Sequence, residues 1–221
     1  MKSLVFDAST VITLAMNNML WLIKPLRKQF KGEFYVSDSV KKEILINPMK
    51  SKKFRLEAIQ VKQILDAGDL KVRSFTDGII EIEDLVNHLY KARGKWLRIM
   101  HAGEIGAMIL ARNIQADALV VDERTTRVLI ENPDWLAEIL SKKMHTPVKI
   151  HYGNMDKFKR WLGKLKVLRS VELGVAAYEL GLLDKYKIEN KKDVLYAYLW
   201  AVKLRGCSVS ETEIDDVLKI V

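Results

Sequence analysis

With 221 residues, 49% of them hydrophobic and 29% charged, the chain has the composition of a globular protein rather than a disordered one, and it is long enough for an α/β domain with an appendage or for two small domains. No apolar run approaches the roughly 18 residues of a membrane span, and Asp7 interrupts the first apolar stretch before it resembles a cleavable signal, so the expected setting is cytoplasmic, away from membranes. The lone cysteine, Cys207, excludes an internal disulfide and a multi-cysteine zinc site, and reads as a small, partly buried helix residue.

Strand and helix patterns alternate along the first two thirds of the chain. Short apolar runs predict buried strands at Leu4–Asp7, Glu33–Val36, Leu70–Phe75, Ala118–Asp122 and Val148–Tyr152. Helical periodicity lies between them, over Val11–Met16, Leu20–Phe30, Ser39–Ile46, Phe54–Ala67, Ile79–Ala92, Ala102–Asn113 and Trp135–Lys143. Asp77 stands where the Ile79 helix needs a cap. The alternation predicts a mostly parallel sheet covered by helices on both faces, spanning residues 1–150.

Past about residue 152 the pattern becomes helical, around Met155–Lys166, Val171–Leu180, Lys191–Leu204 and Ser210–Ile220, with no strand expected among them. Gly181 and Gly206 sit where helices should stop, and Ser210-Glu-Thr-Glu213 is a capping box. Residues 151–221 are therefore expected to form a helical C-terminal extension.

Four acids stand where this architecture converges. Asp7 and Asp122 each end an apolar run, so on neighbouring parallel strands they project from the same sheet edge, where open α/β sheets bind ligands. Glu104 falls in the first turn of the helix His101-Ala-Gly-Glu104-Ile-Gly106, and Glu43 about one turn into the helix after the second strand, with Ser39 as its expected cap. Carboxylates gathered within a few Å repel unless a cation separates them, and an all-oxygen set suits Mg²⁺ or Mn²⁺. Each acid alone is also an ordinary cap or a solvated helix residue.

The ordered set resembles the PIN-domain nucleases. Asp7-Ala-Ser9-Thr10, Ser39-Val-Lys-Lys-Glu43, Gly103-Glu104-Ile-Gly-Ala-Met-Ile-Leu-Ala and Val-Val-Asp122-Glu-Arg follow the order of that family's signatures over roughly the first 135 residues. The resemblance implies a PIN-like three-layer α/β/α domain of the VapC-like type. It also implies Asp7, Glu43, Glu104 and Asp122 as catalytic ligands of Mg²⁺ or Mn²⁺ for RNA phosphodiester hydrolysis, with Glu123 supplementing Asp122 and Ser9 orienting Asp7. Toxin-like members act with a protein inhibitor, and homodimers are common. Two features depart from the family pattern: Glu104 stands where aspartate is frequent, and the extension beyond Ile150 has no counterpart in compact toxin members.

Basic residues suggest where RNA would lie. Net charge of +9 favours a polyanionic partner, although lysine enrichment has other origins. Arg93-Gly-Lys95-Trp96-Leu-Arg98, just before the Glu104 helix, combines cations with an aromatic ring able to stack on an unpaired base, and Arg124 adds a further cation. Lys157–Arg169 carries six positive charges and reads either as an RNA-docking stripe or as the lysine face of an amphipathic helix. No P-loop and no Gly-x-Ser-x-Gly elbow occurs. The alternative to a nuclease is a non-catalytic RNA-binding or assembly module in which the acids act as caps.

Overall fold

The computed structural model describes residues 2–75 and 78–221. Strand β1 (Ser3–Phe6) leads into α1 (Ala8–Met16); a 3₁₀ turn at Leu20–Leu22 runs into α2 (Ile23–Phe30), and β2 (Glu33–Val36) follows. Helix α3 (Asp38–Lys41) continues through a π-helical stretch, Lys42–Ile46, into α4 (Asn47–Met49), before α5 (Arg55–Asp66) and β3 (Lys71–Val72). Next come α6 (Ile79–Asn87), the hairpin β4 (Tyr90–Ala92) and β5 (Lys95–Trp96), α7 (Ala102–Asn113), β6 (Ala118–Val120), α8 (Arg124–Glu131), α9 (Pro133–Met144) and β7 (Val148–Ile150). The chain closes with α10 (Tyr152–Leu162), β8 (Val167–Leu168), α11 (Ser170–Glu179), a 3₁₀ segment at Leu182–Tyr186, α12 (Lys191–Leu204) and α13 (Glu211–Ile220).

The main sheet is parallel throughout, in the order β3-β2-β1-β6-β8. Ser3, Leu4, Val5 and Phe6 are all buried, because successive side chains of a central strand point to opposite faces and helices cover both. The strand order runs outward from β1 in two directions, toward β2 on one side and β6 on the other. That reversal opens a crevice at the carboxyl ends of β1 and β6, where an α/β sheet receives its ligand. The α/β prediction is met, and a helical C-terminal part follows it.

Several local expectations are corrected. The helix predicted to run from Ile79 to Ala92 stops at Asn87, and Tyr90–Ala92 is a strand. Its side chains alternate, with Tyr90 and Ala92 buried and Lys91 partly exposed, and period two outweighs a helical reading over so short a run. Arg93 and Gly94, at φ 49° and 76°, make the two-residue turn of a hairpin. Strand β7 pairs antiparallel with β4 in this second, three-stranded sheet rather than joining the main one.

The second correction lies past residue 152, where no strand was expected. Val167–Leu168 joins the main sheet beside β6; Leu119 N–H donates to Lys166 C=O at 2.9 Å and Val121 N–H to Leu168 C=O at 2.8 Å. Two residues between cations carry no periodic signal, so only the open edge of β6 selects them. Third, α3 is capped by Ser37, whose Oγ accepts the Val40 N–H, rather than by Ser39. Cys207 is buried, but it follows α12 instead of lying within a helix. The Asp77 cap lies outside the described residues. No helix among the described residues is long and apolar enough to cross a membrane.

Candidate active site

Asp7 ends β1 and caps α1, and its carboxylate is 2% exposed. Oδ2 accepts the Ser9 N–H at 3.0 Å and the Ser9 hydroxyl at 2.6 Å, while Oδ1 is buried without a hydrogen-bond partner. Ser9 Oγ in turn accepts the main-chain N–H groups of Asp122 at 3.0 Å and Glu123 at 3.3 Å. Together with the Asp7 N–H on Val120 C=O, this hydroxyl ties the ends of β1 and β6 and fixes the crevice width. One hydroxyl thus bonds both the Asp7 carboxylate and the main chain after β6. Capping and presentation of Asp7 are the same geometry, since a strand-end aspartate bonded to its own helix start cannot swing away.

Glu43 sits in the π-helical stretch, where one extra residue per turn re-aims side chains relative to the α-helix on either side. Its neighbour is α7. A Cβ on Gly103 would overlap the Glu43 carboxylate, and one on Gly106 would overlap Ser39 Oγ, so these glycines let α7 press directly against α3 and the π turn. Glu104 stands in the first turn of α7, its Oε2 accepting the His101 N–H at 2.7 Å. Glu123 caps α8 through Thr125 and Thr126 N–H at 2.8 and 2.7 Å.

The acids near the crevice act on one another's charge. Burial raises the Asp7 carboxyl, hydrogen bonds from Ser9 oppose this, and the Glu123 charge adds to the rise. Burial and then the charge of Asp7 raise Glu43, with His101 partly offsetting them. Glu104 is pushed up to about 7, first by burial and further by Glu123, Asp7 and Glu43, against the His101 N–H. These four carboxylates form one mutually repelling rim.

Asp122 does not join them. Fully buried, it directs Oδ1 to the Ser170 N–H at 2.7 Å, at the start of α11, and its Oδ2, like Asp7 Oδ1, is buried without a hydrogen-bond partner. Nearby, the Cys207 thiol is pushed up to about 12 by burial and the Asp122 charge, and the buried Tyr198 hydroxyl donates to Ser170 C=O. The two strand-end aspartates thus diverge: the chain turns after β6, and Glu123 takes the place on the rim that the sequence pattern suggested for Asp122.

The basic residues also separate. Arg98 is paired with Glu83 at 3.0 Å, and Arg124 lies over Trp135, 5.3 Å from the ring centroid. Arg93, Lys95 and Trp96 belong to the hairpin. The Lys157–Arg169 segment is not one helical stripe, because α10 ends at Leu162 and Arg169 is bound by Glu172 and Glu213 at 2.7 and 2.8 Å. Sequence reasoning missed Gly103 as the cradle of Glu43. It also missed that strand pairing sets Lys91 between Trp96 on β5 and Lys149 on β7; the Arg-Gly turn between alternating segments was the available signal for the hairpin.

A hard divalent cation fits the chemistry of this rim: four oxygen-only side chains repel one another, and Asp7 Oδ1 is buried without a partner. Among the described residues no three His, Cys, Asp or Glu side chains are already drawn to metal-holding separation. No curated protein and no solved structure matches the chain. A family model described as a PIN domain matches residues 3–133, from β1 through the start of α9 and including all four rim acids. The chain belongs to the PIN-domain family, whose fold is that of nucleases.

Proposed function

We propose that the protein is an Mg²⁺- or Mn²⁺-dependent endoribonuclease whose metal-holding residues are Asp7, Glu43, Glu104 and Glu123. The observation that carries this reading is the gathering of these carboxylates at the crevice between β1 and β6, where the charges of Asp7, Glu43 and Glu123 act on their neighbours and all three raise Glu104. Bound there, a divalent ion lowers the pKa of a coordinated water and offsets phosphate charge. Asp7 is held for this task by Ser9, which leaves Oδ1 unspent. Glu43 is held by the close approach of α7. Glu104 and Glu123 keep their carboxylates at helix N-termini, where main-chain N–H groups limit the cost of their charge. Arg93, Lys95 and Trp96 on the hairpin and Arg124 beside the rim supply contacts for flanking nucleotides.

The test is Mn²⁺-dependent cleavage of single-stranded RNA by the wild type and by Asp7→Asn. The expected outcome is cleavage that EDTA removes and that Asp7→Asn abolishes, with the circular dichroism of the variant unchanged. Undiminished cleavage by Asp7→Asn would exclude Asp7 from the mechanism. One observation favours a second reading, a binding module: both Glu123 oxygens and one Glu104 oxygen are engaged as caps. Salt-sensitive RNA binding with no cleavage, and no rise in Tm on adding Mn²⁺, is the outcome that reading requires.

A further inference from the structure

The three-stranded sheet presents an outward face of which the nuclease reading uses only the hairpin residues Arg93, Lys95 and Trp96. Register places Lys91 directly opposite Trp96 on one neighbour and Lys149 on the other, so the three side chains form a row across one face. Tyr90 and Ala92 point the opposite way into the core. Lys91 Nζ lies 3.8 Å from the centroid of the Trp96 ring, whose edges meet His88 and His151 at 4.9 and 5.6 Å. Trp96 nonetheless keeps 36% of its surface exposed. Alongside runs a cleft of about 450 Å³ whose charged lining is Lys91, Arg93 and Lys149, with His151 and Pro147 and no carboxylate. Glu83 and Asp84, on α6 nearby, are already engaged with Arg98 and His88.

We propose that this face, the row Trp96–Lys91–Lys149 with Arg93 at its rim, docks a single-stranded RNA flank while the acid rim acts on a neighbouring phosphate. The proposal rests on the nuclease reading for its substrate but adds a surface outside the rim, and strand β7, which carries Lys149, lies beyond the residues that match the family. The chemistry selects the ligand. An exposed indole stacks on unpaired bases of any sequence, and lysines track phosphates, whereas a duplex hides its bases. An acidic protein partner would use the cations but not the ring. Chain length limits Trp96 to about 25 Å from Glu104, a span that a few nucleotides bridge.

Arg93 forms the turn at the rim of this face, and its Nε donates to Thr146 Oγ1 at 3.5 Å. At φ 49° it holds a conformation that glycine or asparagine adopts more easily, in the turn position where asparagine is favoured. Arg93→Asn is therefore expected to raise Tm while weakening RNA binding, a pair of signs that a merely structural arginine would not give.

The experiment is fluorescence anisotropy of a labelled 12-nucleotide oligouridylate with the full chain in EDTA, so that binding is read without cleavage. Trp96→Leu should weaken binding about tenfold. The double change Lys91→Gln and Lys149→Gln, which leaves the sheet core untouched, should lower the slope of log K against log salt by about 1.4. Folded variants that bind as the wild type does would overturn the proposal, whatever Asp7→Asn does to cleavage. Poly-glutamate or duplex RNA binding as tightly as the oligouridylate would overturn it too. Binding lost in these variants, in a protein whose wild type cleaves nothing, would support the docking face while removing the nuclease reading.

Discussion

The acid rim and the junction around Asp122 both bury carboxylates at the carboxyl end of the main sheet, yet they treat charge in opposite ways. On the rim, Asp7, Glu43, Glu104 and Glu123 face one another, and burial plus mutual repulsion raises Asp7, Glu43 and Glu104. At the junction, Asp122 accepts the Ser170 N–H, and Arg169 bridges Glu172 and Glu213. Although burial works against it, Glu213 is held down to about 2 by the Ser210 N–H, the Arg169 guanidinium and the Ser210 hydroxyl. Carboxylates that reach across to Ser170 N–H or to the Arg169 guanidinium fasten the C-terminal helices to the sheet. Carboxylates left facing carboxylates hold electrostatic strain that a cation can relieve, which is how a site differs from a scaffold.

The sharpest way to break this contrast is to neutralise one aspartate of each region. Asp7→Asn is expected to lower Mn²⁺-dependent cleavage by about 10²-fold or more with Tm unchanged or higher, because an amide relieves the rim without cutting its Ser9 bond. Asp122→Asn should leave cleavage near the wild-type rate. Equal losses in the two variants would erase the distinction. Asp122→Ala carries the next largest effect, destabilisation of about 2 kcal/mol in urea unfolding, since the buried Ser170 N–H loses its acceptor.

Gly103→Ala probes the rim from its neighbour. In an ordinary helix this change stabilises by about 1 kcal/mol. Here the new methyl meets the Glu43 carboxylate, so cleavage is expected to fall about tenfold through displacement of Glu43, measured as kcat with folding checked by circular dichroism. Wild-type kcat would show that the Glu43 position is not critical.

The smallest effect is on pH dependence. Glu104 has a raised folded-state pKa, so the folded protein binds its proton more tightly, and its contribution to stability declines as pH rises from about 4.5 to about 7. Glu213 runs the other way: its contribution is full above about 4.5 and is lost as pH falls through about 2. In EDTA, Glu104→Gln should flatten the decline of Tm between pH 5 and 7 by a few degrees at most. An unaltered slope would mean that Glu104 does not carry it.

Strands β1, β2, β3 and β6 and most helices were readable because apolar runs and 3.6-residue periods are local signals; α7 and α12 occupy the predicted residues. The hairpin was hidden by its length. Two residues of β8 have no pattern of their own and become a strand only because β6 offers an open edge. Acids at strand ends and helix starts were legible as candidates, since those positions fall on one edge of a parallel sheet.

What the sequence by itself determined, then, is the order of elements and the presence of acids at their ends, because these depend on patterning over a few neighbouring residues. Only the tertiary structure decided which acids meet. Asp122 and Glu123 are adjacent in sequence, but the turn out of β6 sends one carboxylate to the Ser170 N–H and the other to the rim, a choice set by the packing of α11. The same holds for Trp96, Lys91 and Lys149, which share a face only because β4 pairs with strands on both sides. Side-chain convergence depends on register and crossing geometry between distant segments, and no local pattern carries that information.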